Sequence, residues 1–314
     1  MIKIQKNIFL APYTTFKIGG YAKYFAEPKD LVEIRDLSRW AKNKDISVFV
    51  LGGGSNILFS DNGFGGLVMR VQNLEFEVNG LEIVTGAAVP LAKLFLESVR
   101  LGLSGLEWAV GIPGTIGGAV AGNAGAFGKS IADAVKSVEV FDVEKLEVVD
   151  YKIGDCGFAY RDSIFKNNSN LIINRVTLRL RQEELCVIRE RIKEYAEQRA
   201  TSFAQNQKCA GCFFKNIEWK GAGVDKKYLL KKFPELKQFA SKSKIPAGFL
   251  IEFLGFKNKK MGEAMVFDQH ANFILNTNNA TAEHIIMLTG LIKNKIYSRY
   301  GFVLEEEVQL IGFD

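Results

Sequence analysis

The sequence predicts a protein that mixes helices with strands and folds into more than one domain. Helix-like and strand-like periodicities both recur along its 314 residues, a length that favours two or three domains. The composition shifts near Ser202, and a softer boundary lies near Gln72. The loop LGGGSN follows a strand-like run but lacks the Gly-x-Gly-x-x-Gly spacing, which disfavours a dinucleotide-binding Rossmann fold.

Apolar periodicity and turn residues locate the individual elements. The predicted helices lie at about 31–41, 90–101, 182–198 and 282–300. The predicted strands lie at 16–24, 46–51, 67–71, 137–142, 148–153, 171–180 and 303–311. The dipeptide Asn79-Gly80 is the strongest hairpin signal in the chain, and the polar residues 202–208 are typical of a linker.

Composition and charge narrow the class of protein. The chain has neither an apolar run long enough to span a membrane nor the apolar core of a secretory signal, so we expect a cytoplasmic protein. Its four cysteines are too few for a disulfide framework, which favours a reducing compartment. The net charge of +6 admits an anionic partner, and a phosphorylated small molecule meets that requirement as well as nucleic acid does. Because the lysines are scattered, nucleic-acid binding is the weakest hypothesis.

Two glycine-rich segments are candidate ligand loops. In LGGGSN, residues 51–56, consecutive glycines let backbone N–H groups face an anion, and a serine and an asparagine add donors; a tight turn is the alternative. Residues 102–129 are rich in glycine and alanine and nearly free of charge, which indicates a backbone packed closely against a ligand. A P-loop is rejected there, because its spacing requires glycine at the position of Asn123.

Charged residues in two other stretches are candidate catalytic groups, each with a structural alternative. Arg161 in YRDSIFK can stabilise negative charge on a carboxylate or enolate, or it can form a surface ion pair with Asp162. Glu305 and Glu307 share one face of the predicted final strand. An inward-facing carboxylate there is a candidate acid or base, and a solvated charge cluster is the alternative.

The Cys-x-x-Cys pair of Cys209 and Cys212 raises the question of a metal or redox centre. Zinc requires companion ligands, but the other cysteines are isolated and His270 and His284 lack a finger-like spacing. A redox dithiol usually opens a helix after a strand, whereas here a polar linker precedes the pair and FFKN follows it. We therefore predict no metal site.

Seven motifs taken together resemble the UDP-N-acetylenolpyruvoylglucosamine reductase family, flavoenzymes that make UDP-N-acetylmuramate for peptidoglycan. They occur in the family's order and cover almost the whole chain. They are TTFKIGG (14–20), LGGGSNIL (51–58), GIPGTIGGAVAGNAGAFG (111–128), YRDSIFK (160–166), AGCFFKN (210–216), HANFILN (270–276) and LEEEVQLIG (304–312). Each motif is weak alone, but all seven in order are highly specific.

The resemblance implies an α+β protein with a two-lobed FAD-binding fold of the vanillyl-alcohol-oxidase-like (PCMH) type and a C-terminal α+β substrate-binding domain. It implies FAD-binding subdomains at 1–72 and 73–201 and a substrate-binding domain at 202–314, whose final strand (about 303–312) returns to the active site. The two glycine-rich loops would bind FAD non-covalently. The implied cofactor-binding residues are Gly52, Gly53, Gly54, Ser55, Asn56, Ile112, Pro113, Gly114, Thr115, Gly117, Gly118, Asn123, Ala124 and Gly125.

The same resemblance implies the reaction. NADPH reduces the flavin and leaves, and the reduced flavin N5 then delivers hydride to the terminal vinyl carbon of UDP-N-acetylenolpyruvoylglucosamine. Arg161 and Glu307 match the residues that stabilise the resulting enolate-like species. Cys212 stands where many members have serine as the proton donor, and a thiol of ordinary pKa near 8.5 is mostly protonated at neutral pH. Tyr160, Lys215 and Asn216 are implied substrate contacts.

Two departures from the family pattern and two alternatives remain at this stage. Ile217 replaces the proline that usually follows FFKN, and residues 202–208 lack the usual Gln-Pro. The segment 160–202 has no long insertion, which matches the subtype without an extra capping loop.

Another FAD-linked oxidoreductase on the same fold would not explain AGCFFKN together with EEEV. The hypothesis of a non-catalytic nucleotide-binding protein predicts that the catalytic residues have been lost, but they are present. We expect a monomer.

Overall fold

A computed structural model describes residues 3–200, 207–220 and 225–313 of the protein. Contacts divide the chain into two compact units, each built from separate segments. Unit 1 comprises Met1–Phe9, Tyr21–Gly54 and Phe64–Thr201, and unit 2 comprises Leu10–Gly20, Ser55–Gly63 and Ser202–Asp314. The division into three domains stays a prediction. Most of the linker predicted at 202–208 lies outside the described residues.

Eight α-helices form within the described residues. They are α1 (Leu31–Asn43), α2 (Leu91–Arg100), α3 (Ile116–Ala121), α4 (Ile164–Asn167), α5 (Leu185–Ala200), α6 (Lys226–Lys232), α7 (Ala247–Phe253) and α8 (Ala282–Tyr300). The helices predicted from apolar periodicity are confirmed as α1, α2, α5 and α8. Helix α8 begins at the N-cap Thr281 and ends at Gly301, whose φ of 78° is left-handed and suits glycine. None of the described helices combines the length and the apolar character that crossing a membrane requires.

The strands are short, and there are twenty in the described residues. They are β1 (Gln5–Phe9), β2 (Tyr21–Ala26), β3 (Val48–Val50), β4 (Ile57–Phe59), β5 (Phe64–Met69), β6 (Phe76–Asn79), β7 (Glu82–Gly86), β8 (Leu103–Ser104), β9 (Gly125–Ala126), β10 (Lys129–Ser130), β11 (Val135–Asp142), β12 (Glu147–Lys152), β13 (Leu171–Arg179), β14 (Arg181–Gln182), β15 (Ile217–Glu218), β16 (Lys244–Ile245), β17 (Lys260–Met261), β18 (Ala264–Val266), β19 (Ile274–Asn276) and β20 (Gln309–Ile311). The hairpin predicted at Asn79-Gly80 is confirmed as β6–β7, with its two-residue turn one position later, at Gly80 and Leu81, because Asn79 pairs with Glu82.

Unit 1 contains two larger sheets, each with its own buried cluster of apolar side chains. The first has the order β1-β2-β5-β3, with parallel pairing of β2, β5 and β3, and its cluster includes Ile34 and Leu37 of α1. The second is antiparallel, with the order β12-β11-β13-β7-β6, and its cluster includes Leu94 of α2 and Ile116 of α3. Helix α3, which is part of the glycine-rich segment, therefore packs in the apolar cluster of the second sheet.

Unit 2 gathers distant segments around one apolar cluster. Strand β20 pairs in parallel with β4, so Gln309–Ile311 lies beside Ile57–Phe59. The TTFKIGG motif belongs to the same unit, because Asn276 donates to the carbonyl oxygen of Phe16 at 2.9 Å. The carboxylate of Asp61 caps α8 by accepting from the backbone N–H of Ala282 at 2.9 Å. Hydrogen bonds between residues that are far apart in sequence thus hold the segments of this unit together.

The predicted strands differ from the observed ones at three places. The strand expected at 16–24 begins only at Tyr21, because the preceding residues form turns that close on Ser60. Strand β1 was not predicted, since its short and mostly exposed sequence carries no alternation. The final strand, expected from 303, is limited to Gln309–Ile311. The residues before it are extended but have only one isolated bridge, between Glu306 and Phe214.

Candidate active site

In unit 1, the LGGGSN turn packs backbone to backbone on the GIPGTIGG segment. A Cβ atom added at Gly53 would lie 2.7 Å from the Cα atom of Gly114, closer than real side chains approach. A Cβ atom added at Gly52 would lie 3.0 Å from Oγ1 of Thr115. Both predicted cofactor segments therefore meet here, and glycine is required for their approach.

Helix α3 begins where this contact ends. Thr115 is its N-cap, with a hydroxyl that accepts from the backbone N–H of Gly118 at 3.4 Å. Gly117 donates its N–H to the carbonyl oxygen of Ala87 at 2.9 Å, and a Cβ atom there would lie 2.9 Å from the Ala87 Cβ atom. The glycines of GTIGG thus let a short helix lie directly against the end of β7.

The Asn123 side chain links the glycine-rich segment to the turn that carries Arg161. Its Nδ2 group donates to the carbonyl oxygen of Ala159 at 2.7 Å. Ala159 and Asp162 exchange backbone hydrogen bonds of 3.0 and 3.2 Å, so Tyr160 and Arg161 form a two-residue turn. Arg161 has a left-handed φ of 58°, a strained conformation for a non-glycine residue that is common at functional sites.

Two further contacts fix the position of this turn. The Ser163 hydroxyl donates to the carbonyl oxygen of Ala121 at 2.7 Å, and Lys166 Nζ donates to the carbonyl oxygen of Arg161 at 3.2 Å. The Asp162 carboxylate accepts from the Ser163 N–H at 3.0 Å. The structure therefore brings Asn123, Tyr160 and Arg161 together in unit 1.

In unit 2, the segment that carries Cys212 is clamped by Asn272. This asparagine is 1% exposed, and its side chain bonds Phe214 twice, accepting from its N–H at 3.0 Å and donating to its carbonyl oxygen at 2.8 Å. The Phe213 N–H donates to the carbonyl oxygen of Asn272 at 2.7 Å. Cys212 itself is half-buried and bridges to Phe273. The AGCFFKN and HANFILN motifs thus form one structure.

Glu307 lies against the other side of the same segment. Its backbone N–H donates to the carbonyl oxygen of Phe213 at 2.8 Å. Its own carbonyl oxygen accepts from Nδ2 of Asn56 at 3.0 Å, and Asn56 accepts from the Gln309 N–H at 3.0 Å. Asn56, predicted to bind cofactor, therefore holds the backbone of Glu307, and Cys212 and Glu307 lie on adjoining segments.

The remaining predicted residues of unit 2 have defined partners. Lys215 Nζ lies 3.2 Å from Oε2 of Glu305, and Glu306 Oε1 lies 2.7 Å from Nζ of Lys293. Asn216 accepts through Oδ1 from the N–H of Ala247, at the start of α7, at 3.1 Å. The two glutamates that precede Glu307 are thus engaged in ion pairs.

Two further titratable groups near this segment are Cys209, which is buried, and His270, which is half-buried. Cys209 is 9% exposed, and burial raises the pKa of its thiol. Burial likewise lowers the pKa of His270, whose Nδ1 atom accepts from the Asn272 N–H at 3.3 Å. Across residues 3–200, 207–220 and 225–313, no group of three or more His, Cys, Asp and Glu side chains could hold a metal ion.

The residues of unit 1 fit a bound flavin nucleotide. The Asn123 Oδ1 atom is buried, and among the described residues it has no hydrogen-bond partner, so it is an acceptor available to a ligand. The glycine-lined backbone around Gly53 and Gly114 provides close approach without side chains. A ligand with polar N–H or O–H groups and an extended shape suits these features.

The sequence did not indicate several residues that build the site. Asn272 was part of a quoted motif, but its side-chain role was not predicted. The last turns of α5 contact the glycine-rich segment, where the Tyr195 ring stacks on Phe127 with centroids 4.6 Å apart. A buried asparagine within an apolar motif is a signal that could have identified Asn272; the helical pattern alone could not have identified Tyr195.

Comparison with known proteins first defines the class. Residues 22–150 match the FAD binding domain family, so the chain contains an FAD-binding domain. Residues 203–311 match the UDP-N-acetylenolpyruvoylglucosamine reductase, C-terminal domain. Together these two matches account for both parts of the architecture and confirm the predicted α+β flavoprotein fold.

The chain belongs to the UDP-N-acetylenolpyruvoylglucosamine reductase family of oxidoreductases. It is 34% identical over 320 residues to the reductase of Synechococcus sp. (strain JA-3-3Ab), covering 99% of this chain and 92% of the relative. It is 34% identical to that of Solibacter usitatus (strain Ellin6076), covering 99% and 97%. The crystal structure of the Thermus caldophilus reductase superimposes with a TM-score of 0.79 at 30% identity, covering 99% of this chain and 100% of that one. The predicted family is confirmed.

Proposed function

We propose that this chain reduces the enolpyruvyl group of UDP-N-acetylenolpyruvoylglucosamine to UDP-N-acetylmuramate, with NADPH as the hydride donor and FAD as the non-covalent cofactor. The reaction belongs to peptidoglycan synthesis, and we assign it to a cytoplasmic monomer. Relatives named for this reductase activity align over 99% of the chain. The observation that carries the proposal is the clamp in unit 2 that fixes Cys212 beside Glu307 through Phe213 and Asn272.

Unit 1 is assigned to the cofactor. The implied residues in this unit are 52–54 of the LGGGSN turn, the GIPGTIGG segment and residues 123–125, whereas Ser55 and Asn56 continue the turn into unit 2, where the Asn56 side chain holds the backbone of Glu307. When bound, FAD supplies the hydride that reduces the substrate's double bond. The glycines bring backbone close to the cofactor, and Asn123 Oδ1 accepts a hydrogen bond from it. The Cys212, Glu307 and Arg161 side chains perform the remaining steps.

Cys212 is assigned as the proton donor. Adding hydride to the terminal vinyl carbon leaves negative charge that delocalises into the neighbouring carboxylate. The thiol of Cys212 then gives its proton to the adjacent carbon, which completes the reduction of the substrate. The hydride originates from NADPH, which leaves as NADP⁺ before the substrate binds. Phe213 and Phe214 are each 1% exposed, so the backbone that carries this thiol is held in a fixed position. General acid catalysis requires such positioning.

Arg161 and Glu307 are assigned to the developing charge. A guanidinium beside the substrate carboxylate stabilises the enolate-like species more than the substrate, because that species carries one more negative charge, so it lowers the barrier. The two-residue turn that Asn123 and Lys166 hold gives Arg161 a fixed backbone. Glu307 hydrogen-bonds the same species. Tyr160, Lys215 and Asn216 are assigned as substrate contacts.

The test follows the flavin absorbance and deuterium introduced from two sources, NADPH and the solvent. The purified protein should be yellow, NADPH should bleach the flavin absorbance, and UDP-N-acetylenolpyruvoylglucosamine should restore it. NADPH that carries deuterium at the transferred position should label the terminal carbon of the product. Reaction in D₂O should label the adjacent carbon. A preparation that stays colourless with added FAD would contradict the proposal.

Cysteine variants test the proton donor. Cys212→Ser should keep measurable turnover, because a hydroxyl can still donate a proton. Cys212→Ala should keep the bleaching by NADPH but lose re-oxidation by the substrate. Cys209→Ser is the matched control and should turn over nearly as the natural chain does. Normal turnover of Cys212→Ala would show that another group supplies the proton.

A further inference from the structure

We propose that the C-terminal half of helix α5 positions the glycine-rich segment for FAD, with Tyr195 and Arg199 as positioning residues. This inference rests on the assignment of residues 111–128 to the cofactor. It concerns side chains that lie outside every motif of the family resemblance, and it assigns them no contact with substrate or flavin.

The segment contains a hairpin whose backbone is strained. Strands β9 and β10 pair around the two-residue turn Phe127-Gly128, with φ values of 54° and 77°. Two successive positive φ values define a type I′ turn, in which asparagine, aspartate or glycine is preferred at the first position. A bulky aromatic residue is disfavoured there. Its conformation persists only if surrounding contacts hold it.

Helix α5 provides those contacts. The rings of Phe127 and Tyr195 stack with centroids 4.6 Å apart and an interplanar angle of 4°. The guanidinium carbon of Arg199 lies 5.3 Å from the centroid of the Phe127 ring. Tyr195 and Arg199 are four residues apart, so they project from the same face of the helix. Aromatic stacking and a cation–π contact therefore offset the cost of the turn.

Arg199 also contacts the other end of the segment. Its Nη2 group donates to the carbonyl oxygen of Trp108 at 3.3 Å. A Cβ atom added at Gly111 would lie 3.2 Å from its Cδ atom, and Gly111 has a left-handed φ of 72°. The same arginine therefore contacts residues at both ends of the segment 111–128, which fixes their spacing.

The helix is itself anchored. Arg191, two turns before Arg199, forms ion pairs of 2.9 Å with Glu107 and 3.0 Å with Glu183. The Glu107 side chain is 5% exposed, so loss of Arg191 would leave a buried carboxylate without its cation, which costs more than breaking a surface pair. Ile188 is fully buried. These contacts attach α5 to the rest of unit 1. The helix face that carries Tyr195 and Arg199 is therefore a fixed surface for the hairpin of β9 and β10.

The first experiment measures the dissociation constant of FAD by quenching of flavin fluorescence and the visible circular dichroism of the bound flavin. Tyr195→Ala should raise the dissociation constant about three- to tenfold, the range of one lost aromatic pair, and should change the dichroism. Tyr195→Phe keeps the stack and should restore both values. Lys193→Ala, on the 77% exposed side chain of the same helix, is the matched control and should change neither.

A second variant separates positioning from folding. Phe127→Asn suits the left-handed turn but lacks the ring, so the apo protein should be at least as stable while FAD binds more weakly. Equal FAD affinity and dichroism in Tyr195→Ala, Phe127→Asn and the natural chain would overturn the inference alone. Failure of the natural chain to bind FAD would overturn the proposed function instead. If Tyr195→Ala does not fold, Phe127→Asn decides.

Discussion

In unit 1 the candidate cofactor segment is held by glycines that let two stretches of backbone touch, whereas in unit 2 the candidate acid segment is held by asparagine side chains. Gly53 and Gly114 meet with no room for a Cβ atom. Asn272 and Asn56, in contrast, bond the backbone of Phe214 and Glu307. The glycine contact in unit 1 is disrupted by a substitution that adds a side-chain atom. The asparagine hydrogen bonds in unit 2 are disrupted by a substitution that removes polar atoms.

The largest effect is expected from Gly53→Ala in unit 1. The new Cβ atom would lie 2.7 Å from a backbone atom of Gly114, which cannot rotate away. We expect a loss of roughly 3 kcal/mol of unfolding free energy, the upper part of the range for overpacking, together with loss of FAD binding. Chemical denaturation followed by fluorescence measures the first effect, and FAD titration measures the second.

The control lies in the same packing region. A Cβ atom at Gly118 would lie 3.6 Å from Oγ1 of Thr115, an ordinary contact within α3. Gly118→Ala should therefore stabilise the apo protein by up to about 1 kcal/mol, because alanine favours the helix. Similar destabilisation by both variants would show that backbone contact at Gly53 is not the cause.

Asn272→Ala tests the clamp in unit 2. Removal of its amide leaves the N–H and carbonyl groups of the 1% exposed Phe214 without their side-chain partner. We expect a loss of about 2 kcal/mol in unfolding free energy, since buried unsatisfied polar groups are costly. Turnover should fall further than stability alone explains. Asn279→Ala, at an exposed position nearby, should change neither quantity, and equal effects of the two variants would refute the clamp.

Asn56→Ala is expected to have a smaller effect. It removes one hydrogen bond, from Nδ2 to the carbonyl oxygen of Glu307, while the backbone bond from Gln309 remains. We expect a loss of about 1 kcal/mol in unfolding free energy and a lower kcat at unchanged FAD affinity. Asn62→Ala, on an exposed side chain, is the control. A variant that loses FAD binding but keeps its stability would return Asn56 to the cofactor.

Local patterns predicted the parts of the fold that depend on local sequence. The helices α1, α2, α5 and α8 and the Asn79-Gly80 hairpin follow from apolar spacing and turn chemistry. Local sequence did not predict the bounds of the final strand. Alternation between buried and exposed residues indicates that the chain is extended, but not that it pairs with another strand. Residues 302–305 alternate in this way, with Val303 70% exposed and Leu304 1% exposed. A ladder also requires a partner strand, which β4 provides only to Gln309–Ile311.

The site could be predicted as a set of motifs but not as a set of contacts. The family resemblance named Cys212 and Glu307, yet the bonds that support them join residues far apart in sequence. Asn56 bonds Glu307 across 251 positions, and Asn272 bonds Phe214 across 58. No periodicity or spacing rule reaches such distances. In unit 1, in contrast, the glycines in the sequence predicted that two stretches of backbone approach closely, because glycine has no side chain.

The smallest effect concerns the pH dependence of stability, where a buried thiol lies in each unit. Cys156 in unit 1 is fully buried, and burial, with a smaller contribution from the charge of Asp155, raises the pKa of its thiol to about 11. Because the unfolded chain loses this proton first, near pH 8.5, stability contributed by the neutral thiol is complete below that pH and is lost as the pH rises towards 11. Between pH 7.5 and pH 9.0 the loss should stay below about 1 kcal/mol.

Denaturation at both pH values, in the presence of a reductant, measures this loss. Cys156→Ala should flatten the pH dependence, whereas Cys186→Ala, at an exposed position, should leave it unchanged. Cys209 in unit 2 should act in the same direction, because burial raises the pKa of its thiol as well. Parallel curves for the natural chain and Cys156→Ala would show that this thiol titrates alike in the folded and unfolded chain. The Cys156 thiol would then be more open to solvent than its exposed fraction of 0% indicates.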